Sequence, residues 1–316
     1  RRYEKHFLRD MKALRIDSVD FYARASDYVQ EIIGQIKELI KRGYAYETGT
    51  GVYFNVRKFP RYGYLSRSRG EISLRPFELC SSKKWPEDFS LWRKSNEEPA
   101  WESPWGHGRP GWHIEDTAIA MKFFGSGYDL HGGASELIFP HHEAEIAQAE
   151  ALTGKRPYVR FWIHTGLLKM RGRKMSKSLG NLIYIKEFLR SNDYRAARFY
   201  FLSRHYRQDV SFSTAEVKAS ARRWSRFIKH LNRFLDLPSS PRRPAQTALY
   251  EILKNLEYRF RKDMDDDFNT PAALRTVCRM ASVAAEYARR QSSIEYRTKR
   301  RALEVIRRPA EILGII

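Results

Sequence analysis

Apolar residues recur at helical spacing near the start of the chain. Phe7, Met11 and Leu14 share one face, and Val29, Ile32, Ile33, Ile36, Leu39 and Ile40 share another, with lysine and arginine between them. This spacing predicts helices across residues 1–45, the second ended by Gly43. Residues 51–55 alternate in a strand-like way, and 56–85 mix Gly, Ser, Arg and aromatics without a period, which predicts loops and short strands. Residues 98–113 are dense in Trp, Pro and Gly, a mark of irregular backbone held by large apolar anchors, and such backbone often lines a site. A helix is predicted over 114–124 and a short strand over 127–131 that runs into Gly132 and Gly133. A second helix follows over 140–153, opened by Pro140 and closed near Gly154, and then a buried strand over 159–169. A basic loop occupies 171–181. From about residue 184 the pattern is helical almost to the end, with a loop at 238–244, and no internal repeat is visible.

Composition narrows the class. Hydrophobic residues make up 42% of the 316, enough for packed cores rather than a disordered chain. Two or three domains follow from the length, at ~100–200 residues each. No apolar run approaches the ~18 residues of a membrane span. The chain opens on Arg1 rather than Met, with no signal pattern, and reads as beginning at an internal cut. Its two cysteines, Cys80 and Cys278, form neither a disulfide framework nor a cysteine zinc site, which predicts a reducing, cytoplasmic setting. Lysine and arginine number 58 against 37 acidic residues, a net charge of +21. That surplus predicts a polyanionic partner, RNA before DNA.

The sharpest chemical feature is Lys174-Met175-Ser176-Lys177-Ser178, placed after a predicted strand. Two lysines three residues apart on a Gly- and Ser-flanked loop make a mobile cationic clamp. Nucleotidyl transfer concentrates negative charge on phosphate oxygens, and lysines held there stabilise the transition state more than the ground state.

This string resembles the KMSKS signature of class I aminoacyl-tRNA synthetases. SPWGHGRPGWHIE at 103–115, DLHGGASELIFPHHEAEIAQ at 129–148, KMSKSLGN at 174–181 and MDDDFNTP at 264–271 are together similar to cysteinyl-tRNA synthetase. The resemblance implies an α/β fold: the second half of a Rossmann-like parallel sheet plus its insertion, followed by an all-α helical bundle. The expected divisions are an insertion region at 1–97, the catalytic half with the KMSKS loop at 98–183, and a stem-contact region with the bundle at 184–316. It also implies ATP-dependent activation of L-cysteine, with Mg²⁺ accompanying ATP, and transfer to tRNA(Cys) by a cytoplasmic, monomeric enzyme. By motif, Lys174 and Lys177 would hold the triphosphate, with Met175, Ser176 and Ser178 in the same loop. His131, Gly132, Gly133 and Glu136 would lie near adenosine, and Trp112 and His113 would face the amino-acid pocket.

In this family a zinc ion held by two cysteines, a histidine and a glutamate reads the substrate thiol. His141 and Glu145 match the last two, and their i, i+4 spacing puts them on one helical face. Asp116 stands where a cysteine is expected. Three readings follow: an altered Zn²⁺ site on Asp116, His141 and Glu145, a metal-free site, or drifted amino-acid specificity. His142 reads as a supporting residue. Glu136 stands where the family usually has Asp. None of the nine histidines forms the family's other ATP signature, His-x-Gly-His, so the chain reads as beginning inside the insertion.

Arg222, Arg223, Arg226, Lys229 and Arg233 fall roughly along one helical side and predict tRNA phosphate contacts. The acidic triplet Asp265, Asp266 and Asp267 is expected to cap and brace a helix near Thr270-Pro271. Two alternatives stay open: a paralogous ligase joining cysteine to an amino sugar, against which the basic bundle argues, and a non-catalytic tRNA-binding fragment.

Overall fold

The two amphipathic stripes near the start fold differently. Helix α1 (Arg2–Ala13) buries no side chain, whereas α2 (Val29–Lys41) buries Val29, Ile32, Ile33, Ile36 and Leu39. Between them, residues 14–28 hold only a 3-10 turn at Ala25–Asp27, so the expected helical stretch over 1–45 is interrupted. The computed structural model describes residues 2–68, 82–176, 178–241 and 247–316. It divides into two units, Val19–Thr165 and Arg1–Ser18 with Gly166–Ile316. Cys80 and Lys177 lie outside the described residues.

In the first unit, β1 (Ala45–Thr48), β2 (Gly51–Phe54), β3 (Phe89–Lys94) and β4 (Gly108–Pro110) form an antiparallel sheet in that order. All of β2 is buried, and Gly51 is required there, because a Cβ would lie 2.0 Å from the Trp92 carbonyl oxygen. Helix α2, with α3 (Trp112–Phe124) and α4 (Glu143–Thr153), closes over a core that includes Ile36, Phe54, Trp92, Ile114 and Ala147. Strands β5 (Tyr128–Ala134) and β6 (Val159–Thr165) pair in parallel, with α4 in the crossover between them. Helix α4 begins at Glu143 rather than at the expected Pro140. Phe139 is extended (φ −132°, ψ 134°), and residues 138–142 form a wide turn that carries both His141 and His142.

The strand expected over 159–169 is two. The chain leaves β6 after Thr165, and β7 (Leu168–Met170) joins a different sheet, between β8 (Arg173–Lys174) and β9 (Val210–Phe212). Backbone hydrogen bonding decides this. Gly166 N donates to the Tyr206 carbonyl at 2.8 Å and Leu167 N to Asp209 Oδ1 at 2.8 Å, and a Cβ on Gly166 would lie 2.2 Å from the Gln208 backbone. Nor is β6 buried as expected, since only Val159 of its residues is.

Beyond β8 come α5 (Ile185–Ser191), α6 (Tyr194–Leu202), α7 (Thr214–Leu235), α8 (Thr247–Asp265), α9 (Thr270–Arg290) and α10 (Tyr296–Ile312). Phe227, Phe234, Leu253, Val277, Met280 and Ile306 lie in their shared core. The acidic triplet braces but does not cap. Asn269 is the N-cap of α9, its Oδ1 accepting from Ala272 N, while Asp267 accepts from Tyr206 Oη at 2.6 Å and from Arg207. Asparagine competes well for this position because its short side chain reaches the exposed amides of the first turn. No described helix is long and apolar enough to cross a membrane.

Candidate active-site residues

The irregular Trp-rich stretch ends at Gly111, and α3 starts at Trp112, so its first turn presents Trp112 and His113 and the start of its second presents Asp116. The wide turn before α4 supplies His141 and His142, and the next turn supplies Glu145. These elements bring Asp116 Oδ2 to 2.9 Å and Glu145 Oε1 to 3.5 Å from His141 Nε2. The three residues expected to form an altered metal site therefore converge, although they come from two helices and a turn. The other ring nitrogen of His141 lies 2.8 Å from His113 Nδ1, which fixes its orientation. Trp112 is half exposed and stacks on His141, with ring centroids 4.4 Å apart, so it walls the site rather than filling the core.

A second set of donors adjoins the first. His131 Nε2 lies 3.4 Å from Glu145 Oε2, and His131, His142 and Glu145 also place ligand atoms within 4.8 Å of one another. His142 Nδ1 lies 2.8 Å from His164 Nε2, and Tyr128 Oη is 2.5 Å from His131 Nδ1. Sequence reasoning put His131 beside adenosine and gave His142 a supporting part. It passed over Tyr128 and His164, whose involvement depends on the register that sets β5 against β6. Gly133 makes room for this cluster, since a Cβ there would meet His142 Cε1 at 2.7 Å. Gly132 is exposed, and Glu136 lies exposed in the turn after β5.

Burial sets the protonation. It pushes His131 down to about 4 and His142 to about 3, which keeps both imidazoles neutral, the form with a free lone pair. Glu145 is fully buried, and neither of its oxygens accepts a hydrogen bond among the described residues. Burial, and then the charge of Asp116, hold its carboxyl well above the usual range. The same two causes raise Glu115 to about 7. Tetrahedral zinc with bonds of ~2.0–2.1 Å separates its ligands by about 3.3 Å. The distances of 2.9 and 3.5 Å about His141, together with an orphaned buried carboxylate, fit a divalent cation.

In the other unit, β7 and β8 form a hairpin that turns at Arg171 (φ 51°) and Gly172 (φ 75°) and places Lys174 opposite Lys169. The KMSKS segment follows, with Lys174 and Ser178 exposed. Asn181, given no part by sequence reasoning, ties this loop at two points. Its Oδ1 accepts from Ser176 N at 2.8 Å and its Nδ2 donates to the Lys174 carbonyl at 3.0 Å. The signal was available, because an asparagine closing a Gly-containing loop commonly bonds nearby backbone. Arg222, Arg223, Arg226, Lys229 and Arg233 are all exposed on α7. Their spacing keeps them roughly along one side of α7, and they open on two grooves: Arg222 lines one with α5 and β9, while Arg223 and Arg226 line another with α9.

Residues 1–222 match the family described as tRNA synthetases class I (C) catalytic domain, and residues 259–316 match the DALR domain. The cysteine–tRNA ligase of Thermococcus onnurineus is 39% identical over 322 residues, covering 99% of this chain and 67% of that protein. The cysteine–tRNA ligase of Thermotoga maritima is 43% identical over 278 residues, covering 87% and 59%. The chain thus spans about two thirds of the length of such relatives or less. In fold it is similar to methionyl-tRNA synthetase of Mycobacterium tuberculosis bound to methionyl-adenylate, with TM-score 0.62, 17% identity and coverage of 98% of this chain and 75% of that one. Taken with the donor cluster on α3 and α4 and the KMSKS loop after β8, the match over residues 1–222 means that this chain belongs to the cysteine–tRNA ligase family of class I synthetases.

Proposed function

We propose that the chain serves ATP-dependent ligation of cysteine to tRNA(Cys) through a cysteinyl-adenylate, with Mg²⁺ accompanying ATP. The observation that carries this reading is the convergence of exposed Asp116 with the buried His141 and Glu145 beside Trp112. A cation bound there would supply a Lewis-acid partner for the substrate thiol, and rejection of serine needs such a partner because pocket shape alone discriminates the two poorly. Asp116, His141 and Glu145 would hold it. His113 orients His141, and Trp112 excludes water from one face. Lys174 and Lys177 would neutralise charge on the phosphates as the carboxylate of cysteine attacks the α-phosphate and pyrophosphate leaves. Asn181 supports this by holding the backbone of their loop. A carboxylate in place of a thiolate makes the donor set harder, which lowers its preference for zinc over other divalent ions.

The test is cysteine-dependent exchange of pyrophosphate into ATP, with metal content measured on the same protein. Exchange with cysteine and none with serine supports the assignment, and exchange with serine alone overturns it. Asp116→Ala should lower bound metal, read by elemental analysis after dialysis. Unchanged metal content would remove Asp116 from the site.

A further inference from the structure

Glu145 turns its two buried oxygens to different neighbours. Oε1 faces His141, in the donor set proposed above for the thiol-binding cation, and Oε2 faces His131 Nε2 at 3.4 Å. Neither oxygen accepts a hydrogen bond among the described residues, so the contact with His131 is close without being a hydrogen bond. Its length matches the ~3.3 Å between two ligands of one tetrahedral zinc. His142 completes a triad, since one ligand atom from each of His131, His142 and Glu145 lies within 4.8 Å of the others. Among the described residues no lysine or arginine pairs with Glu145, and a buried carboxylate without such a partner calls for another cation. The surroundings of the two imidazoles point the same way. A metal-bound histidine commonly holds its other ring nitrogen in an outer hydrogen bond that fixes the tautomer. His131 Nδ1 is engaged by Tyr128 Oη at 2.5 Å and His142 Nδ1 by His164 Nε2 at 2.8 Å, which leaves Nε2 of each ring for coordination. Trp162 packs on both rings, with centroids 4.8 and 4.9 Å away, and limits their rotation.

We infer that His131, His142 and Glu145 form a second seat for a divalent cation, which shares the Glu145 carboxylate with the seat on Asp116 and His141. Two imidazole nitrogens and one carboxylate are the donors of many catalytic zinc centres, which keep a fourth position open for a small ligand. That set selects Zn²⁺ and Co²⁺ over Mg²⁺, whereas the two carboxylates and one imidazole of the Asp116 seat are harder. A carboxylate shared in this way holds two ions ~3.5–4 Å apart. The second seat stands on its own donors, whether or not the chain activates cysteine.

The test is Co²⁺ binding to the full chain, counted by elemental analysis after dialysis. The parent should bind two ions per chain, Asp116→Ala and His131→Ala one each, and the two changes together none. Mg²⁺ should displace the cobalt left in His131→Ala at least ~10-fold more readily than that left in Asp116→Ala; the reverse order would overturn the inference. So would a single ion in the parent that survives His131→Ala, a single ion lost in both variants, or cobalt retained when both changes are made. A single ion lost in His131→Ala but kept in Asp116→Ala upholds this seat and removes the other. A second measurement needs no variant and decides the matter even if His131→Ala fails to fold. In the parent labelled with ¹⁵N-histidine, Zn²⁺ should move Nε2 of both His131 and His142 out of the range of a bare lone pair, and an unmoved Nε2 at either would overturn the inference. Pyrophosphate exchange on the same protein reads the ligase assignment separately. Exchange without a metal at His131 removes this seat alone, and a metal at His131 without exchange removes the ligase reading and leaves the seat.

Discussion

Glu143 opens α4 and is buried, yet it is no donor to the site. Its carboxylate accepts from Gly63 N at 3.0 Å and from Ser66 N at 2.6 Å, across about 80 residues of sequence. It thereby fastens the loop that follows β2 to the helix that carries Glu145. Hydrogen bonds to a charged group contribute about 1.5–3 kcal/mol each, and an orphaned buried amide costs about 1–3 kcal/mol. Ser66 is partly exposed and recovers some of this from water. Glu143→Ala should therefore cost about 3–4 kcal/mol locally. Native-state hydrogen exchange reads this directly. Protection at Gly63 and Ser66 should fall by about 10²–10³, at ~1.4 kcal/mol per tenfold, while Val52 in the buried strand β2 should hold its protection. Glu143→Gln keeps one carbonyl acceptor and should lose only about tenfold. If Gly63 and Ser66 exchange as slowly in the alanine variant as in the parent, the carboxylate is not what holds the loop.

Three further outcomes follow from single contacts. Gly133→Ala should destabilise the first unit by about 1–3 kcal/mol through overpacking, because His142 is held by His164 and Trp162 and has no room to yield; an unchanged urea midpoint would refute this. Asn181→Ala frees the loop at Ser176 and Lys174 and should lower the pyrophosphate-exchange rate about tenfold or more, with little change in tRNA affinity; equal rates would remove its positioning part. Asp267 is depressed to about 2, by Arg207 first and Tyr206 next. A depressed carboxyl stabilises above its unfolded value near 3.8 and loses that contribution as pH falls through about 2; a carboxyl titration by NMR with a midpoint at or above 3.8 would contradict the Arg207 contact.

The stripe on α2 was legible because burial on one face of a helix imposes its period on the sequence, and Val29 through Leu39 follow it. The strand at 159–169 misled for the same reason in reverse: a run of β-forming residues does not record that the backbone changes sheets at Gly166. The convergence of His141 with Glu145 was legible as i, i+4 spacing. That of His131 with Glu145 was not, since it depends on how β5 lies beside α4.

Residue identity and order by themselves determined the family, the charge, the helical second half and the four motif strings, because each is written in local spacing or in composition. Only the tertiary structure decided that Glu145 faces two sets of donors, that Glu143 serves backbone amides instead, and that Arg222 and Arg223 line different grooves. The physical reason is the same in each case. A side chain's type is fixed by sequence, but its partner is fixed by which backbone the packing brings within hydrogen-bonding reach, and those backbones lie tens of residues away along the chain.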